Sequence, residues 1–594
     1  NATWPIGCLG FVTCPKQLIE SQASGGGKLK MSAVTRVQLR ARIQRAATQV
    51  AIYLRQRGLE ISSEKCALVA FTRKPMHNYS VLINNERIRH LRSYKFLGVI
   101  IDRDLSWSSH VSYMKRRLTG ICHLFKFFAG KNWGMSTTAM LRLYRILFLG
   151  FLRYSLPVLT NASKTSIRML QSVQAQALRI CLGLPQSAST AATIAITRDN
   201  LIKTHINVEV LRTHIRHLAR TPRHHLASLP VVRPCTSYCK TVTAHGESIP
   251  TSFSPAARPV TPPWCLAQPM ININIPGIQK KANLSSPALK QLTLLLLYEK
   301  YQDSTHIYTD GSAQPDSSTG AVVIPRLATT IKFKTSHATT STAAELAALR
   351  AALQFVVDQP TRKWTIFCDS KAALQSLLSA LRRGPHEQLV LEIAEVIHPL
   401  TEKGHHITFQ WLPSHCGIIG NERVDQAARS AHTENHKLRL PLFRTDAARK
   451  LRRLARQQTT SQWNQPHFKH ARLYSLDPTL SLQVPSRLRR ADQTLLCRLW
   501  LGVAFTNAYA FRIGMADTAA CGHCGKEETI QHILCECLEY SKQRQFLRKK
   551  LSNLDNQPLS EQGILQYRQD ATSQKKALKV LLHFLRSTSL TERL

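Results

Sequence analysis

The segment 301–432 alternates β-like and helical runs, and this alternation constrains the fold more than any other feature. Three β-like runs come first, and helical and β-like runs then alternate: HIYTDGSA, GAVVIP, TTIKFKT, AAELAALRAALQFVV, KWTIFCD, SKAALQSLLSAL, EQLVLEIAEVIHPL, HITFQWL and ERVDQAARSA. Strands that alternate with helices pack as a sheet covered by helices. The order predicts an α/β centre with a mixed five-stranded sheet and flanking helices.

The rest of the chain predicts a multidomain protein, because 594 residues exceed what one hydrophobic core holds. Mainly α regions flank the sheet. Ten of the 27 prolines fall within 221–280, which indicates a linker or an irregular insert. The predicted organisation is a degraded or unrelated segment 1–39, a helical region 40–220, a Pro-rich linker 221–300, the sheet domain 301–432 and a basic helical tail 433–594.

Several shorter patterns are specific enough to predict local structure. Residues 36–57 have the period of an amphipathic helix, and Asn84-Asn85 sits between two alternating runs as in a small hairpin. Helices are expected at about 108–129 and 136–183. Three arginines interrupt the apolar run MLRLYRILFLGFLRYSLPVL, and charges at membrane depth are costly, so we expect a buried helix and no membrane partner.

Positive charge is concentrated at both ends of the chain. Lysines and arginines exceed acids by 41 to 10 in 1–300, equal them at 12 in 301–432, and exceed them by 27 to 13 in 433–594. Basic surfaces of this kind bind phosphate backbones by releasing counterions. The plainer alternative, a solvated lysine-rich surface, does not account for arginine-rich runs such as RVQLRARIQR. The flanks therefore predict binding to RNA and DNA backbones.

Four acids of the neutral centre lie at strand ends and helix starts that face one edge: Asp310, Glu345, Asp369 and Asp425. Carboxylates brought close together repel one another unless cations neutralise them, and Mg²⁺ prefers oxygen ligands. Each acid also has a structural alternative. Asp310 before a glycine suits a turn, Glu345 suits a capping box with Thr342, Asp369 suits a helix cap, and Asp425 suits a solvated helical face.

Taken together, these segments resemble the ribonuclease H family. YTDGS, TAAELAAL, IFCDS and WLPSHCGIIGNERVDQAA match its four catalytic segments in order. The resemblance implies that the four acids hold two Mg²⁺ ions, with Mn²⁺ as an alternative, and that His415 assists proton transfer or product release. It also implies cleavage of the RNA strand of an RNA:DNA hybrid, which leaves a 3′ hydroxyl and a 5′ phosphate.

Residues 40–185 resemble the palm end and thumb of reverse transcriptases from non-LTR retrotransposons of the jockey-like LINE type. The strings that carry this likeness are GLEISSEKCALVAFTRK, YKFLGVIIDRDLSWSSHV and WGMSTTAMLRLYRILFLGFLRYSLPVL. A polymerase needs paired aspartates, yet residues 1–101 contain no aspartate and the chain has no Asp-Asp pair. We therefore expect a polyprotein piece that does not begin at an initiator methionine and has no polymerase activity.

A cysteine and histidine cluster lies near the other end, in CGHCGKEETIQHILCEC, residues 521–537. Its C-x2-C-x7-H-x4-C spacing suits tetrahedral Zn²⁺ and predicts Cys521, Cys524, His532 and Cys537 as ligands, while Cys535 and His523 compete with them. Similar zinc knuckles close polyproteins of non-LTR retrotransposons. The alternative is a helical hairpin with reduced cysteines.

The function expected from these features is ribonuclease H activity within a retrotransposon-derived polyprotein. A catalytically dead, nucleic-acid-binding relic of a reverse transcriptase is the main alternative, and a transposase or integrase of related fold is a third. Fifteen cysteines, an odd number and mostly scattered, disfavour a secreted disulfide protein. We therefore expect an intracellular location, in the nucleus or the cytoplasm.

Overall fold

A computed structural model describes residues 36–69, 71, 80–220, 235–246, 265–267, 269–279, 283–378, 387–440, 442–554 and 558–594. The chain divides into two compact units. The sheet unit is Val210–Leu454, and the helical unit combines Asn1–Glu209 with Ala455–Leu594. Most of the predicted linker, 221–234 and 247–264, and nearly all of segment 1–39 lie outside the described residues.

The strands are numbered in chain order: β1 Ala67–Leu68, β2 Leu82–Ile83, β3 Glu86–Arg87, β4 Arg89–His90, β5 Ser93–Phe96, β6 Val99–Asp102, β7 Met270–Asn272, β8 Thr305–Ala313, β9 Ser318–Ile324, β10 Thr329–Thr335, β11 Lys363–Cys368, β12 His406–Trp411 and β13 Lys437–Leu438. The helices of residues 36–301 are α1 Arg36–Arg55, α2 Ser108–Lys126, α3 Thr137–Leu143, α4 Leu149–Ser155, α5 Lys164–Leu182, α6 Thr190–Ile196, α7 Ile202–Arg220, α8 Ser237–Ala244 and α9 Ser286–Tyr301.

The helices of residues 341–594 continue the numbering: α10 Ser341–Val357, α11 Lys371–Leu378, α12 Glu387–Glu402, α13 Ile419–Ser430, α14 Arg444–Trp463, α15 Pro466–Lys469, α16 Arg472–Leu476, α17 Arg490–Leu501, α18 Asn507–Arg512, α19 Ser541–Ser552, α20 Glu561–Leu565, α21 Ala571–Ser587 and α22 Leu590–Arg593. Helices therefore dominate both regions that flank the predicted sheet domain, as expected.

The sheet unit contains a mixed sheet with strand order β13-β10-β9-β8-β11-β12-β7. The β8, β9 and β10 strands form an antiparallel meander. The β11 strand pairs parallel to β8, and β12 pairs parallel to β11. This is the predicted mixed sheet with its five main strands. Every residue of β9 is buried, because β9 lies inside the sheet and helices α10 and α13 pack on it.

Two short edge strands extend the sheet beyond the predicted boundaries. The β7 strand pairs parallel to β12, and β13 pairs parallel to β10. Helix α9 also belongs here, since Leu289 and Leu296 are buried in the core of the sheet. The structure thus differs from the predicted linker 221–300 and from a tail that begins at 433. Strands of two or three residues are too short to show a period, so no sequence pattern indicated them.

The first part of the helical unit matches the local predictions. Helix α1 covers the predicted amphipathic stretch and buries Ile43 and Ala47. The β2 and β3 strands form the predicted hairpin, in which Asn84 and Asn85 both have positive φ, as a two-residue type I′ turn requires. The predicted helices at 108–129 and 136–183 are also present, the second one in several pieces.

The stretch Thr137–Asn161 is, within the described residues, a helical segment long and apolar enough to be a candidate membrane span by length and composition. About 39% of its most apolar window is buried inside the unit. The buried residues include Met140, Tyr144, Phe148 and Leu152, which recur at helical spacing. The prediction of a buried helix is therefore met on one face of this segment, while Ile146 and Tyr154 are exposed.

The two basic flanks of the sequence pack together in the helical unit through a buried arginine. Arg490, at the start of α17, donates to the carbonyl oxygens of Gly130, Ile180 and Cys181 and to the hydroxyl of Thr137. Two of these carbonyls belong to the last turn of α5, where the helix presents unpaired acceptors and negative partial charge. Residues 300 positions apart thus share one core, which the sequence did not indicate.

Candidate metal centres

Asp310 and Gly311 lie inside strand β8, so the alternative of a turn at this point is wrong. A Cβ atom on Gly311 would lie 2.4 Å from the backbone nitrogen of Glu345 and 2.5 Å from the carbonyl carbon of Ala344. Only glycine permits helix α10 to approach the strand this closely. The glycine after Asp310 therefore brings the two acidic residues together.

Glu345 lies in the second turn of α10 and is buried. The helix begins at Ser341, and the side chain of Thr340 accepts a hydrogen bond from the Ala343 N–H. The predicted capping box with Thr342 is therefore wrong, since the cap lies two residues earlier. Glu345 instead contacts the thiol of Cys368, with 3.7 Å between Sγ and Oε2. No sequence pattern indicated a role for this cysteine.

Asp369 follows directly on β11 and faces the same edge of the sheet. The β8 and β11 strands run parallel with Cys368 opposite Thr309, so Asp310 and Asp369 come next in register on neighbouring strands. The cap of helix α11 is the neighbouring residue, because the Ala373 N–H donates to Ser370 Oγ at 3.3 Å. Ser370, and not Asp369, therefore caps helix α11.

Asp310, Glu345 and Asp369 form one cluster, in which one carboxylate oxygen of each lies within 4.8 Å of the others. Burial, together with the charges of Asp369 and Asp425, raises the pKa of Asp310 to about 7. Burial, followed by the charges of Asp310 and Asp369, also raises the pKa of Glu345. Ionisation of all three carboxylates is therefore unfavourable without cations, and bound cations would relieve the repulsion between them.

Asp425, on helix α13, does not join this close cluster. Its Oδ2 lies 2.9 Å from Nη2 of Arg429 and 3.9 Å from Nδ1 of His415. The charge of Asp425 nevertheless reaches Asp310, whose pKa it raises. The structure thus brings three of the four predicted acids into contact range and pairs the fourth with an arginine. The i, i+4 spacing of Asp425 and Arg429 was a usable sequence signal for this pair.

The second candidate centre contains Cys521, Cys524, His532 and Cys537, whose ligand atoms all lie within 4.8 Å of one another. Cys521 Sγ and Cys537 Sγ are 3.9 Å apart, and Cys524 Sγ and His532 Nε2 are 3.3 Å apart. A tetrahedral zinc site has edges of about 3.8 Å between sulfurs and about 3.6 Å between sulfur and nitrogen, given its bond lengths. The four side chains therefore fit Zn²⁺.

The competing ligands lie outside this group of four. Cys535 is half-buried, and burial raises the pKa of its thiol to about 11. His523 is exposed beside Glu539, with 3.9 Å between Nδ1 and Oε2. The buried Nδ1 of His532 has no hydrogen-bond partner within the described residues, although Glu536 Oε2 lies 3.8 Å away. A carboxylate near the second nitrogen is a common neighbour of a metal-bound imidazole.

Comparisons with known proteins agree with the assignment of the sheet domain. Residues 302–433 match the family model described as RNase H. The chain is 30% identical over 129 residues to the "RNA-directed DNA polymerase from mobile element jockey" of Drosophila melanogaster, which is 22% of this chain and 14% of that protein. It is 28% identical over 174 residues to the protein of the same description from Drosophila funebris, 29% of this chain and 18% of that protein.

These matches confirm the predicted resemblance to ribonuclease H and to jockey-like non-LTR retrotransposon polyproteins. The aligned part covers less than a fifth of the length of either relative. Residues 302–433 form an RNase H domain. The roles of individual acids and the zinc knuckle stay predictions.

Proposed function

We propose that the RNase H domain hydrolyses the RNA strand of RNA:DNA hybrids in a metal-dependent reaction. The observation that carries this proposal is the convergence of Asp310, Glu345 and Asp369 within 4.8 Å at one edge of the sheet. Asp310 and Glu345 are buried there with raised pKa values, a combination typical of sites that bind cations or exchange protons.

The three clustered carboxylates would hold the cations, with Asp425 nearby as a further oxygen ligand. Two Mg²⁺ ions, or Mn²⁺, would supply an activated water and would stabilise the leaving oxygen of the phosphodiester. Glu345 and Asp310 are fixed by the close contact of β8 and α10 at Gly311, so their geometry is set by the fold before substrate binds. Such preorganisation favours a reaction in which charge develops on phosphate oxygens.

His415 is the candidate for proton transfer. Its side chain is 66% exposed and its Nδ1 lies 3.9 Å from Asp425 Oδ2. An imidazole at this position reaches both the acidic edge and the solvent, and it can carry a proton between the leaving 3′ oxygen and bulk water. The resemblance to ribonuclease H supports this role.

The basic flanks would hold the nucleic acid, since the RNase H domain has as many acids as bases and the flanks carry the positive excess. The cysteine cluster would contribute to this grip as a zinc knuckle, with Cys521, Cys524, His532 and Cys537 as Zn²⁺ ligands. Because the sequence lacks an Asp-Asp pair, we assign no polymerase activity to this chain. We place the activity in the degradation of template RNA after first-strand synthesis by a reverse transcriptase.

The test is a cleavage assay with end-labelled RNA:DNA hybrid, Mg²⁺ and the purified chain. We expect fragments with 3′ hydroxyl and 5′ phosphate ends, no cleavage of single-stranded RNA, and no cleavage by Asp310→Asn. Asp316→Asn serves as the matched control, because Asp316 is an exposed acid of the same domain that pairs with Arg453. Hybrid binding without turnover in the unmodified chain would instead support a catalytically dead relic.

A further inference from the structure

The helical unit contains an open cavity of about 630 Å³ whose walls come from both ends of the sequence. One wall is formed by α3 and the segment after α6, and the other by the last part of α14 and the loop 479–484. The volume lies within the ~300–1,000 Å³ range of ligand-binding clefts. The cavity belongs to a different unit from the acidic cluster and is not explained by nuclease chemistry.

Three arginines line the cavity, Arg145, Arg198 and Arg456, and no aspartate or glutamate is among the described residues that line it. Guanidinium groups that share one concave surface repel each other and attract anions. All three side chains are exposed to solvent, so their charges are accessible to a ligand. The electrostatic character of the cavity is therefore that of a polyanion site.

The three arginines differ in how the protein holds them. Arg198 donates from Nη2 to the carbonyl oxygen of Ser481 at 2.6 Å, and its backbone has a left-handed φ of 54°. This bond fixes the position of Arg198 against the loop 479–484, which forms part of the cavity wall. Within the described residues, the side chains of Arg145 and Arg456 have no hydrogen bond or ion pair, so their donors are available to a ligand.

Neutral donors complete the lining. Asn200 accepts a hydrogen bond from the Thr459 hydroxyl through Oδ1 at 2.8 Å, which leaves its amide nitrogen as a donor. The hydroxyls of Thr138 and Thr460 also line the cavity. Arginine, threonine and asparagine side chains are the usual partners of phosphate and sugar oxygens in complexes with nucleic acids.

We propose that this cavity binds the phosphodiester backbone of a nucleic-acid strand, at a site separate from the RNase H acids. The inference rests on the part of the proposed function that assigns nucleic-acid binding to the basic flanks, and it names the residues that do so. Arg145 and Arg456 contact phosphates from opposite walls, and Arg198 supplies a third, fixed charge. The contacts read no bases, so the site is not selective for sequence.

The experiment measures fluorescence anisotropy of labelled single-stranded RNA, single-stranded DNA and RNA:DNA hybrid with the full chain in EDTA. EDTA prevents cleavage, so the result is independent of whether the nuclease proposal holds. We expect the double variant Arg145→Gln, Arg456→Gln to raise the Kd about tenfold or more. For single strands the slope of log K against log salt should become shallower by about 1.4, since each lost phosphate contact contributes about 0.7.

Two matched variants separate a local site from general charge loss. Lys575→Gln, Lys576→Gln removes the same two charges from exposed positions on α21 outside the cavity and should leave Kd and slope nearly unchanged. Arg145→Lys, Arg456→Lys keeps the charge and should restore most of the slope. Circular dichroism of the Gln variant that matches the unmodified chain shows that it is folded. Equal losses in the two Gln variants, or an unchanged slope in the cavity variant, would overturn the proposal.

Discussion

The Nδ1 atom of His415 lies 3.9 Å from Oδ2 of Asp425, and Nη2 of Arg429 lies 2.9 Å from the same oxygen. A histidine and an arginine therefore share the one predicted acid that stays outside the close cluster. The backbone of His415 is left-handed, with a φ of 54°, a conformation that few residue types adopt readily. The loop thus holds the backbone that carries the imidazole in an unusual conformation. Such local strain is common at functional sites.

The first prediction concerns proton transfer at His415. We expect His415→Asn to lower kcat for hybrid cleavage by about 10²-fold or more, because the imidazole is lost. Asparagine tolerates left-handed φ better than alanine does, so the loop stays in place. The Kd for hybrid, measured in EDTA, should not change. His436→Ala removes another exposed histidine of the sheet unit as a control, and a kcat equal to that of this control would rule out the assigned role.

The second prediction concerns the cost of keeping Asp310 in the cluster. Its pKa is about 7 in the folded chain against an ordinary value of 3.8, because burial and neighbouring charges disfavour ionisation. A raised carboxyl pKa means that the folded state loses stability as the pH rises from about 4 to about 7. In EDTA at about pH 7.5, Asp310→Asn should therefore stabilise the chain by about 2–4 kcal/mol.

The measurement is urea unfolding in EDTA at several pH values. The stabilisation by Asp310→Asn should shrink as the pH falls towards about 4 and disappear below about pH 3, where Asp310 is protonated in both states. Asp316→Asn, at an exposed acid, should show no such pH dependence. A destabilised Asp310→Asn at neutral pH would contradict the raised pKa and the repulsion behind it.

Local patterns in the sequence were sufficient to predict the five main strands of the sheet and the convergence of Asp310, Glu345 and Asp369. The alternation of β-like and helical runs predicted the meander and the mixed sheet. The position of a strand-end acid such as Asp369 at one edge of the sheet follows from that topology. The pairing of Asp425 with Arg429 was not predicted, although helical spacing allowed it. The alternative of a turn at Asp310 was wrong, and Gly311 instead permits the close approach of α10, which depends on packing between elements.

Long-range packing could not be predicted from the sequence. Arg490 contacts carbonyls about 300 positions earlier, and Arg145 and Arg456 line one cavity although they belong to opposite flanks. Charge composition indicates that both flanks are basic but contains no information on which residues meet. The short β7 strand pairs with β12 through backbone groups, which any sequence offers.

The third prediction concerns a buried acid that supports the N-terminus of α10. Asp446 on α14 is fully buried, accepts a 2.6 Å hydrogen bond from the hydroxyl of Thr339, and lies 3.5 Å from Nε2 of His337. Thr339 directly precedes the cap of the helix that carries Glu345. Asp446→Ala should cost about 2–4 kcal/mol of unfolding free energy, because it leaves buried polar partners unsatisfied.

The matched control is another contact of α14, the ion pair of Arg453 with Asp316 in the turn between β8 and β9. Both side chains are exposed, so Asp316→Ala should change the free energy of unfolding by no more than about 1 kcal/mol. Urea unfolding of both variants gives the comparison. Similar losses for Asp446→Ala and Asp316→Ala would show that burial of Asp446 contributes nothing.

The fourth prediction concerns the cysteine cluster. Cys521 and Cys537 belong to the same buried core as Trp500, whose indole N–H donates to the carbonyl of Leu565. Loss of the metal should therefore destabilise this core as well as the segment 521–537 that carries the ligands. We expect the purified chain to hold about one zinc, and Cys524→Ser to lose it and to unfold at lower urea, because a tetrahedral structural site needs all four ligands.

Cys535→Ser distinguishes the predicted ligand set from its competitor. Cys535 neighbours the cluster in sequence but lies outside the group of four, so this variant should retain its zinc and nearly its full urea midpoint. Zinc content is measured by metal analysis after dialysis, and unfolding by tryptophan fluorescence. Zinc retained by Cys524→Ser and lost by Cys535→Ser would assign the fourth thiolate to Cys535. Zinc in neither variant nor the unmodified chain would leave reduced cysteines in a helical hairpin as the description of this region.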